Sequence, residues 1–358
     1  MSGLLATLRP AGGTARRTRL IAVFGVIALL HIVGWTLNRA AVADGATSAS
    51  FLGTGLLAYV LGIRHAFDAD HIAAIDDTTR LMVQRGRKPT GVGFFFSMGH
   101  SSVVLLMTVA VALLAGTASQ SDFTRLRELG GTVSTVVALV FLTLVAVLNS
   151  LALSGVVKCW RELRRGRLPL GEVEQHLHNR GAINRLLTGR ARALIRSSWH
   201  MFPVGFLFGL GLETASEITL LTLSAATVQG GSVPWAATLS LPLLFAAGMS
   251  LCDTLDSLLM TRAYSWSAHN PARRLYYNMA TTWATVFVAA FIAAVYLAGI
   301  LSEDAGVPGL AGFASLADHF EFLGYVTVGC FAATWLGATL VWRLGGFEKA
   351  APDALTAP

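Results

Sequence analysis

Arg64-His65-Ala66-Phe67-Asp68-Ala69-Asp70-His71 stands inside an apolar stretch that runs from 51 to 78. An apolar run of roughly 18 or more residues can cross a hydrocarbon core of roughly 30 Å as a helix. Histidines, aspartates and an arginine in the middle of such a run are out of place, and what they do there decides how the chain is read. The surroundings make lipid rather than water the main solvent. Of 358 residues, 54% are hydrophobic and 13% charged, against roughly 25% charged in an ordinary soluble domain.

Comparable apolar windows fall near 20–37, 51–78, 92–116, 132–157, 200–228, 235–261, 277–301 and 320–343. The predicted fold is therefore all-α, a polytopic membrane protein built as a bundle of eight transmembrane helices. One transmembrane domain, 1–346, is followed by a disordered tail, 347–358. Eight crossings put both termini on one side, and basic residues choose the cytoplasm, where Lys and Arg accumulate. Arg9, Arg16, Arg17 and Arg19 precede the first window; Arg80, Arg85, Arg87 and Lys88 follow the second; Arg262, Arg273 and Arg274 follow the sixth. The cytoplasmic loop 158–198 is the most basic segment, from Lys158 and Arg161 to Arg192 and Arg196. The last outside loop has Glu303, Asp304 and Asp318 with no Lys or Arg.

The net charge of +7 is thus spread between hydrophobic segments. It reports topology in an inner (plasma) membrane and calls for no nucleic acid partner. Apolar residues among the arginines of the long loop, such as Ile183, Leu187 and Leu194, suit a helix lying on anionic lipid. Arg16 to Arg19, an apolar run and Ala41-Val42-Ala43 imitate a secretory signal. The run from Leu20 to Leu37 exceeds the usual signal core, which favours a retained helix. Cys159, Cys252 and Cys330 are scattered, with neither a disulfide framework nor a structural zinc pattern.

The ionisable residues within the spans form a set. Besides His65, Asp68, Asp70 and His71, the third span has His100-Ser101-Ser102, the fifth Glu213 and Glu217, and the sixth Asp253 and Asp256. An Asp at a helix centre costs about 2.5–3.5 kcal/mol on insertion scales, so these six acids, left ionised in lipid, would cost on the order of 18 kcal/mol. They must face one another, water or a cation. At about 100° per residue, His65, Asp68 and His71 share one arc of a helix while Asp70 points nearly opposite. Either the helix is distorted there or Asp70 serves a separate contact; irregular backbone is tolerated at membrane depth where it lines a cavity. Glu213 and Glu217 are four apart and Asp253 and Asp256 three apart, so each pair presents one face.

Imidazole and carboxylate together suit nickel, cobalt, zinc or copper, whereas an all-oxygen cage suits magnesium or calcium. Arg64 is expected to be a counter-ion to a carboxylate, since guanidinium cannot coordinate metal. Ser101 and Ser102 are expected to tie helices together. Asp76 and Asp77, near the cytoplasmic end of the second span, read as solvated groups or an exit funnel. His31, His200 and His319, near membrane edges, read as helix–helix hydrogen-bonding partners.

These residues fall into blocks that resemble the NiCoT family of nickel/cobalt permeases. Its hallmark is H-x-x-x-x-D-H in the second span, here His65 through Asp70-His71. Further similar blocks are Gly99-His100-Ser101-Ser102-Val103-Val104, Leu210-Gly211-Leu212-Glu213-Thr214-Ala215-Ser216-Glu217, and Gly248-Met249 with Asp253-Thr254-Leu255-Asp256. Asn270-Pro271 and Leu275-Tyr276-Tyr277-Asn278 extend the likeness, so it covers most of the hydrophobic chain. One departure stands in the fifth span, where the family has Asp-Thr-Ala-Thr-Glu and this chain has Glu213-Thr214-Ala215-Ser216-Glu217. The charge is kept and the first carboxylate reaches one methylene further, which bears on metal preference rather than on transport.

The resemblance implies an eight-span uptake permease for divalent nickel and/or cobalt, with cytoplasmic termini and with the second-span motif in metal binding. His65 and His71 head the expected ligands; His100, Glu213 and Asp253 come next, with Asp68, Asp70, Glu217 and Asp256 in the same set. Thr214 and Thr254 are expected to support them. The ion is substrate, not cofactor; the expected partners are the ion and the bilayer. The chain has no Walker-type loop, so no ATPase subunit is called for. Two other readings are an efflux permease, disfavoured because loop 158–198 lacks a histidine-rich tract, and a membrane metalloenzyme, disfavoured by the absence of H-E-x-x-H.

Overall fold

The computed structural model describes residues 13–43, 48–84, 86–114, 120–165, 167, 197–211, 215–226, 235–265, 271–303 and 306–344. All regular structure among them is helical. The main elements are α1 (Gly13–Ala43), α2 (Ser48–His65), α3 (Ala69–Gln84), α4 (Val92–Leu114), α5 (Gln120–Arg164), α6 (Met201–Gly209), α7 (Ala215–Ala226), α8 (Trp235–Ser265), α9 (Pro271–Glu303), the short α10 (Ala311–Ala314) and α11 (Phe320–Leu344). The tail 347–358 and most of loop 158–198 lie outside the described residues.

Six segments among the described residues are long and apolar enough to cross a membrane: Arg16–Ala41, Val92–Leu113, Glu128–Glu162, Trp235–Arg262, Leu275–Glu303 and Ala311–Val341. They coincide with six of the eight predicted windows. The other two, 51–78 and 200–228, are not continuous helices. The first stops at His65 and restarts at Ala69; the second stops at Gly209 and restarts at Ala215. Both interruptions fall where the sequence concentrates its ionisable residues. The outward faces carry Ile21, Leu106, Val140, Leu259, Phe287 and Leu340, all more than half exposed. Such surfaces are stable against hydrocarbon and costly against water.

Two compact units make up the chain. The first comprises Met1–Ala66, Lys88–Ser134 and Ser198–Leu258; the second comprises Phe67–Arg87, Thr135–Ser197 and Leu259–Pro358. In the first, Ala58 and Leu61 of α2, Val104 of α4, Leu220 of α7 and Leu241, Leu244, Phe245 and Met249 of α8 form one buried cluster. In lipid no water is released when helices meet, so small residues that let backbones touch carry much of the packing. Two reciprocal glycine pairs show it. A Cβ on Gly62 of α2 would overlap the Phe245 carbonyl of α8, and one on Gly248 of α8 would meet the Tyr59 carbonyl of α2. A Cβ on Gly99 of α4 would overlap the Phe202 carbonyl of α6, and one on Gly205 of α6 the Phe96 carbonyl of α4. Helix α8 stays continuous through Pro242, as transmembrane helices allow.

The second unit gathers α3, the greater part of α5, α9 and α11. Val156 and Cys159 of α5 pack with Leu275 of α9. At the start of the unit, Phe67 stacks on Tyr325 of α11 with ring centroids 5.5 Å apart. The Phe67 carbonyl occupies the space a Cβ on the adjacent Gly324 would need. One expectation fails here. The solvated reading of Asp76 and Asp77 is overturned: both are buried, and so is Arg80, only 1% exposed. Periodicity could not reveal this, because these residues stand at the end of the apolar run and only neighbouring helices, distant in sequence, cover them.

Valine at Gly99 or Gly205 should separate α4 from α6 and destabilise the folded protein by about 1–3 kcal/mol or more, the range for overpacking. At Gly25 an added Cβ would meet nothing within 4 Å, so alanine there should be accepted within about 0.5 kcal/mol. Thermal unfolding of the detergent-solubilised variants, followed by monodisperse protein remaining, separates the two outcomes.

Candidate metal centre

Three side chains of the first unit converge from three helices. His65 is the last residue of α2, His100 lies within α4 and Glu217 in the first turn of α7. All are buried, at 1%, 3% and 2% exposure. His65 Nε2 lies 2.9 Å from His100 Nε2, and His100 Nε2 lies 2.8 Å from Glu217 Oε1. His65 Nε2 to the same Oε1 is 3.8 Å. The rings are held by aromatic neighbours, His65 against Phe245 at 5.5 Å and His100 against Phe96 at 6.4 Å.

Two imidazole nitrogens at this separation repel as lone pairs unless a proton or another cation lies with them. The spacing also fits one metal ion. The circle through the three atoms has a radius of about 1.9 Å, so a point about 2.1 Å from each, an ordinary metal–imidazole bond length, lies just off their plane. Donors at right angles on bonds of about 2.1 Å stand about 3.0 Å apart, close to the two shorter separations. Two nitrogens and one carboxylate oxygen form a set suited to late first-row divalent ions, and a donor set without thiolate does not suit a soft, monovalent ion.

The broken helices add to the field. A helix C-terminus carries a partial negative charge and an N-terminus a partial positive one. The end of α2 at His65 therefore favours a cation, and the start of α7 favours the Glu217 carboxylate beside it. This is the arrangement in which interrupted helices bring termini to an ion at membrane depth.

The other predicted residues are distributed as follows. Asp253 and Thr254 are buried on α8, and Asp256 is partly buried there. Gly93 of α4 abuts the Asp253 carbonyl, so the two helices touch at that level. Ser101 is buried, whereas Ser102 donates to the Gly99 carbonyl of its own helix at 2.6 Å and ties no helices together. Arg64 is exposed at the end of α2. Glu213 and Thr214 lie outside the described residues. His31 does act as a helix–helix partner, its Nε2 3.3 Å from the Tyr59 hydroxyl of α2.

Asp68, Asp70 and His71 belong to the second unit. Asp68 and His71 are buried. Both oxygens of Asp70 are engaged there: Oδ1 accepts from the His71 backbone N–H at 2.8 Å, and Oδ2 from the Tyr296 hydroxyl of α9 at 2.7 Å. Of the two alternatives the helix arithmetic left open, both hold. The helix is interrupted, and Asp70 has a separate contact that anchors the start of α3. Sequence reading missed Tyr296 as that partner, since nothing in the spacing links 70 to 296.

Residues 51–341 match the NicO family, described as high-affinity nickel-transport protein. Among similar curated proteins, the cobalt transport protein NhlF of Rhodococcus rhodochrous is 51% identical over 95% of this chain and 97% of its own. The nickel transporter NicT of Mycobacterium tuberculosis is 44% identical over 94% of this chain and 93% of its own. The high-affinity nickel-transport protein NixA of Helicobacter pylori is 42% identical over 90% and 96%. No solved structure matches the chain.

Glu217→Gln keeps the shape of the side chain and removes its charge. It should lower nickel affinity of the purified protein by at least about tenfold, at the lower end of what loss of a metal-site contact costs. Isothermal titration with nickel chloride reads this; unchanged affinity would show that the Glu217 charge contributes nothing to binding.

Proposed function

Because the chain belongs to the NicO family of high-affinity nickel-transport proteins, we propose that it is a permease carrying nickel or cobalt, as substrate, into the cell across the inner membrane. The observation that carries this reading is the convergence of His65, His100 and Glu217 within reach of one ion. The ion sheds most of its water and exchanges it for these donors. His71, six residues after His65 in the same motif, is assigned to binding with Asp68, and Glu213, Asp253 and Asp256 are assigned to the ion's path.

Windows 51–78 and 200–228 supply the two further crossings that raise six to eight, each with its helix interrupted, and both termini are cytoplasmic. Interruption serves the substrate, since backbone freed from the helix ladder is tolerated in a membrane only where it faces protein or a polar cavity. Inward movement of two charges gains about 4.6 kcal/mol per 100 mV, roughly three decades of concentration, so no nucleotide-driven subunit is required. The ion undergoes no covalent chemistry, and the protein is a carrier rather than an enzyme. Ligation needs neutral imidazole, so acid on the outer side weakens binding. Preference between nickel and cobalt comes from the geometry and reach of the donors, because affinity order alone favours copper.

Proteoliposomes held at a fixed inside-negative voltage should accumulate radiolabelled nickel and cobalt in competition with each other. His65→Ala and His71→Ala, checked for folding, should reduce uptake to that of empty vesicles. Wild-type protein that binds nickel yet passes none would contradict the permease reading and favour a resident metal.

A further inference from the structure

The second unit contains a buried polar network on α3, α5 and α9. Asp76, Asp77 and Arg80 lie on α3, and all are 1% exposed or less. Arg80 is held by uncharged partners on α9: Nη1 donates to Thr285 Oγ1 at 3.3 Å, and Nη2 to the Asn278 carbonyl, Asn278 Oδ1 and Thr281 Oγ1 at 2.9, 3.1 and 2.8 Å. Thr285 in turn donates to Asp76 Oδ2 at 3.1 Å, which links that carboxylate to the guanidinium. Asp77 turns to α5, where Asn149 Nδ2 donates to its Oδ1 at 2.7 Å.

That bond leaves a specific deficit. Asp77 Oδ2 and Asn149 Oδ1 are both buried, and among the described residues neither has a hydrogen-bond partner. Asn149 itself is fully buried, and its amide is directed at Asp77. Two acceptors without a donor are costly away from water. One proton on Asp77 Oδ2 would supply a donor and remove a charge. The charge count agrees: one buried guanidinium serves two buried carboxylates, and protonating one makes the group neutral. Among the described residues, the charged neighbours of Asp77 are Asp76 and Arg80 on its own helix. Helix α5 has no ionisable residue from Leu129 to Val157. Helix α9 brings the phenol of Tyr277 to this layer, and α11 carries Glu321 and Tyr325, of which Tyr325 stacks on Phe67 at the start of α3.

We propose that Asp77 is an exchangeable proton site through which nickel entry is coupled to proton exit. The proposal rests on the transport reading. In the metal-free protein Asp77 is the neutral acid, with H⁺ on Oδ2. A dication bound in the same low-dielectric molecule disfavours that added positive charge, so the carboxylate releases H⁺ to the outer side as the metal binds there and regains H⁺ from the inner side once the metal has left. No electrons move; one H⁺ leaves for each dication that enters, so one net positive charge crosses inward and an inside-negative voltage still drives the exchange. Asp77 is not one of the imidazole ligands, so its titration differs from the proton release that ligation itself causes.

Wild-type protein and Asp77→Asn are reconstituted in proteoliposomes with voltage clamped by potassium and valinomycin, and with external pH held constant. Acidifying only the lumen should speed radiolabelled nickel uptake several-fold in wild type and leave Asp77→Asn unaffected, while nickel affinity by titration stays the same in both. Asparagine keeps the acceptor for Asn149, so the variant retains that contact. Infrared difference spectra of wild type, nickel-free minus nickel-loaded, should show a deuterium-sensitive carboxylic-acid band that Asp77→Asn lacks. Wild-type uptake indifferent to lumenal pH, no acid band in wild type, or an Asp77→Asn variant that keeps the wild-type response would each overturn the proposal while leaving transport intact. A wild type that takes up no nickel at all would instead sink the transport reading, and the infrared band would still decide whether Asp77 carries a proton.

Discussion

Imidazole and carboxylate removed from water set the terms for the rest of the molecule. His65, His100 and Glu217 occupy one buried point, where an ionised acid and two facing nitrogens are tolerable only with a proton or a metal among them. The helices that carry them must come close enough for short side chains to meet. Gly62 and Gly248 let α2 and α8 touch along their backbones, and Gly99 and Gly205 do the same for α4 and α6. Phe245 and Phe96 then flank the rings and fix their orientation. The glycines and aromatics thus set the geometry of the cluster without offering a donor to it.

A second consequence is the broken helices. An unbroken helix satisfies its own backbone and presents nothing to an ion except side chains. Ending α2 at His65 and beginning α7 at Ala215 exposes termini whose partial charges match the guests, cation at one and carboxylate at the other. Asp70 shows how such a break is stabilised. Its carboxylate holds the first turn of α3 through the His71 N–H and ties that turn to α9 through Tyr296.

The two units solve the problem of buried charge differently. In the first, nitrogen donors face a carboxylate and need an added cation. In the second, Arg80 is a built-in cation, wrapped by Thr285, Asn278 and Thr281, with Asp76 linked to it and Asp77 left to Asn149. Arginine stays charged in either setting, so the acids around it are the groups free to change state.

Composition and hydropathy determined the solvent, the all-helical class and six of the crossings, because an apolar run of this length has few other stable destinations. The ionisable residues stranded in hydrophobic windows were legible as a set headed by His65 and His71, and the structure brings His65, His100 and Glu217 of that set together. What the spacing could not decide was which acids meet the imidazoles. Helix arithmetic assumes an unbroken helix, and the chain breaks at the residues in question, so Asp70 turned to Tyr296 of α9 and Arg64 to the exposed side. Nor could it show that Asp76, Asp77 and Arg80 are interior: each looks like an ordinary membrane-edge charge until α5 and α9 close over it. Burial is a property of neighbours far away in the chain, and only the tertiary structure brings 149 and 285 to 77 and 76.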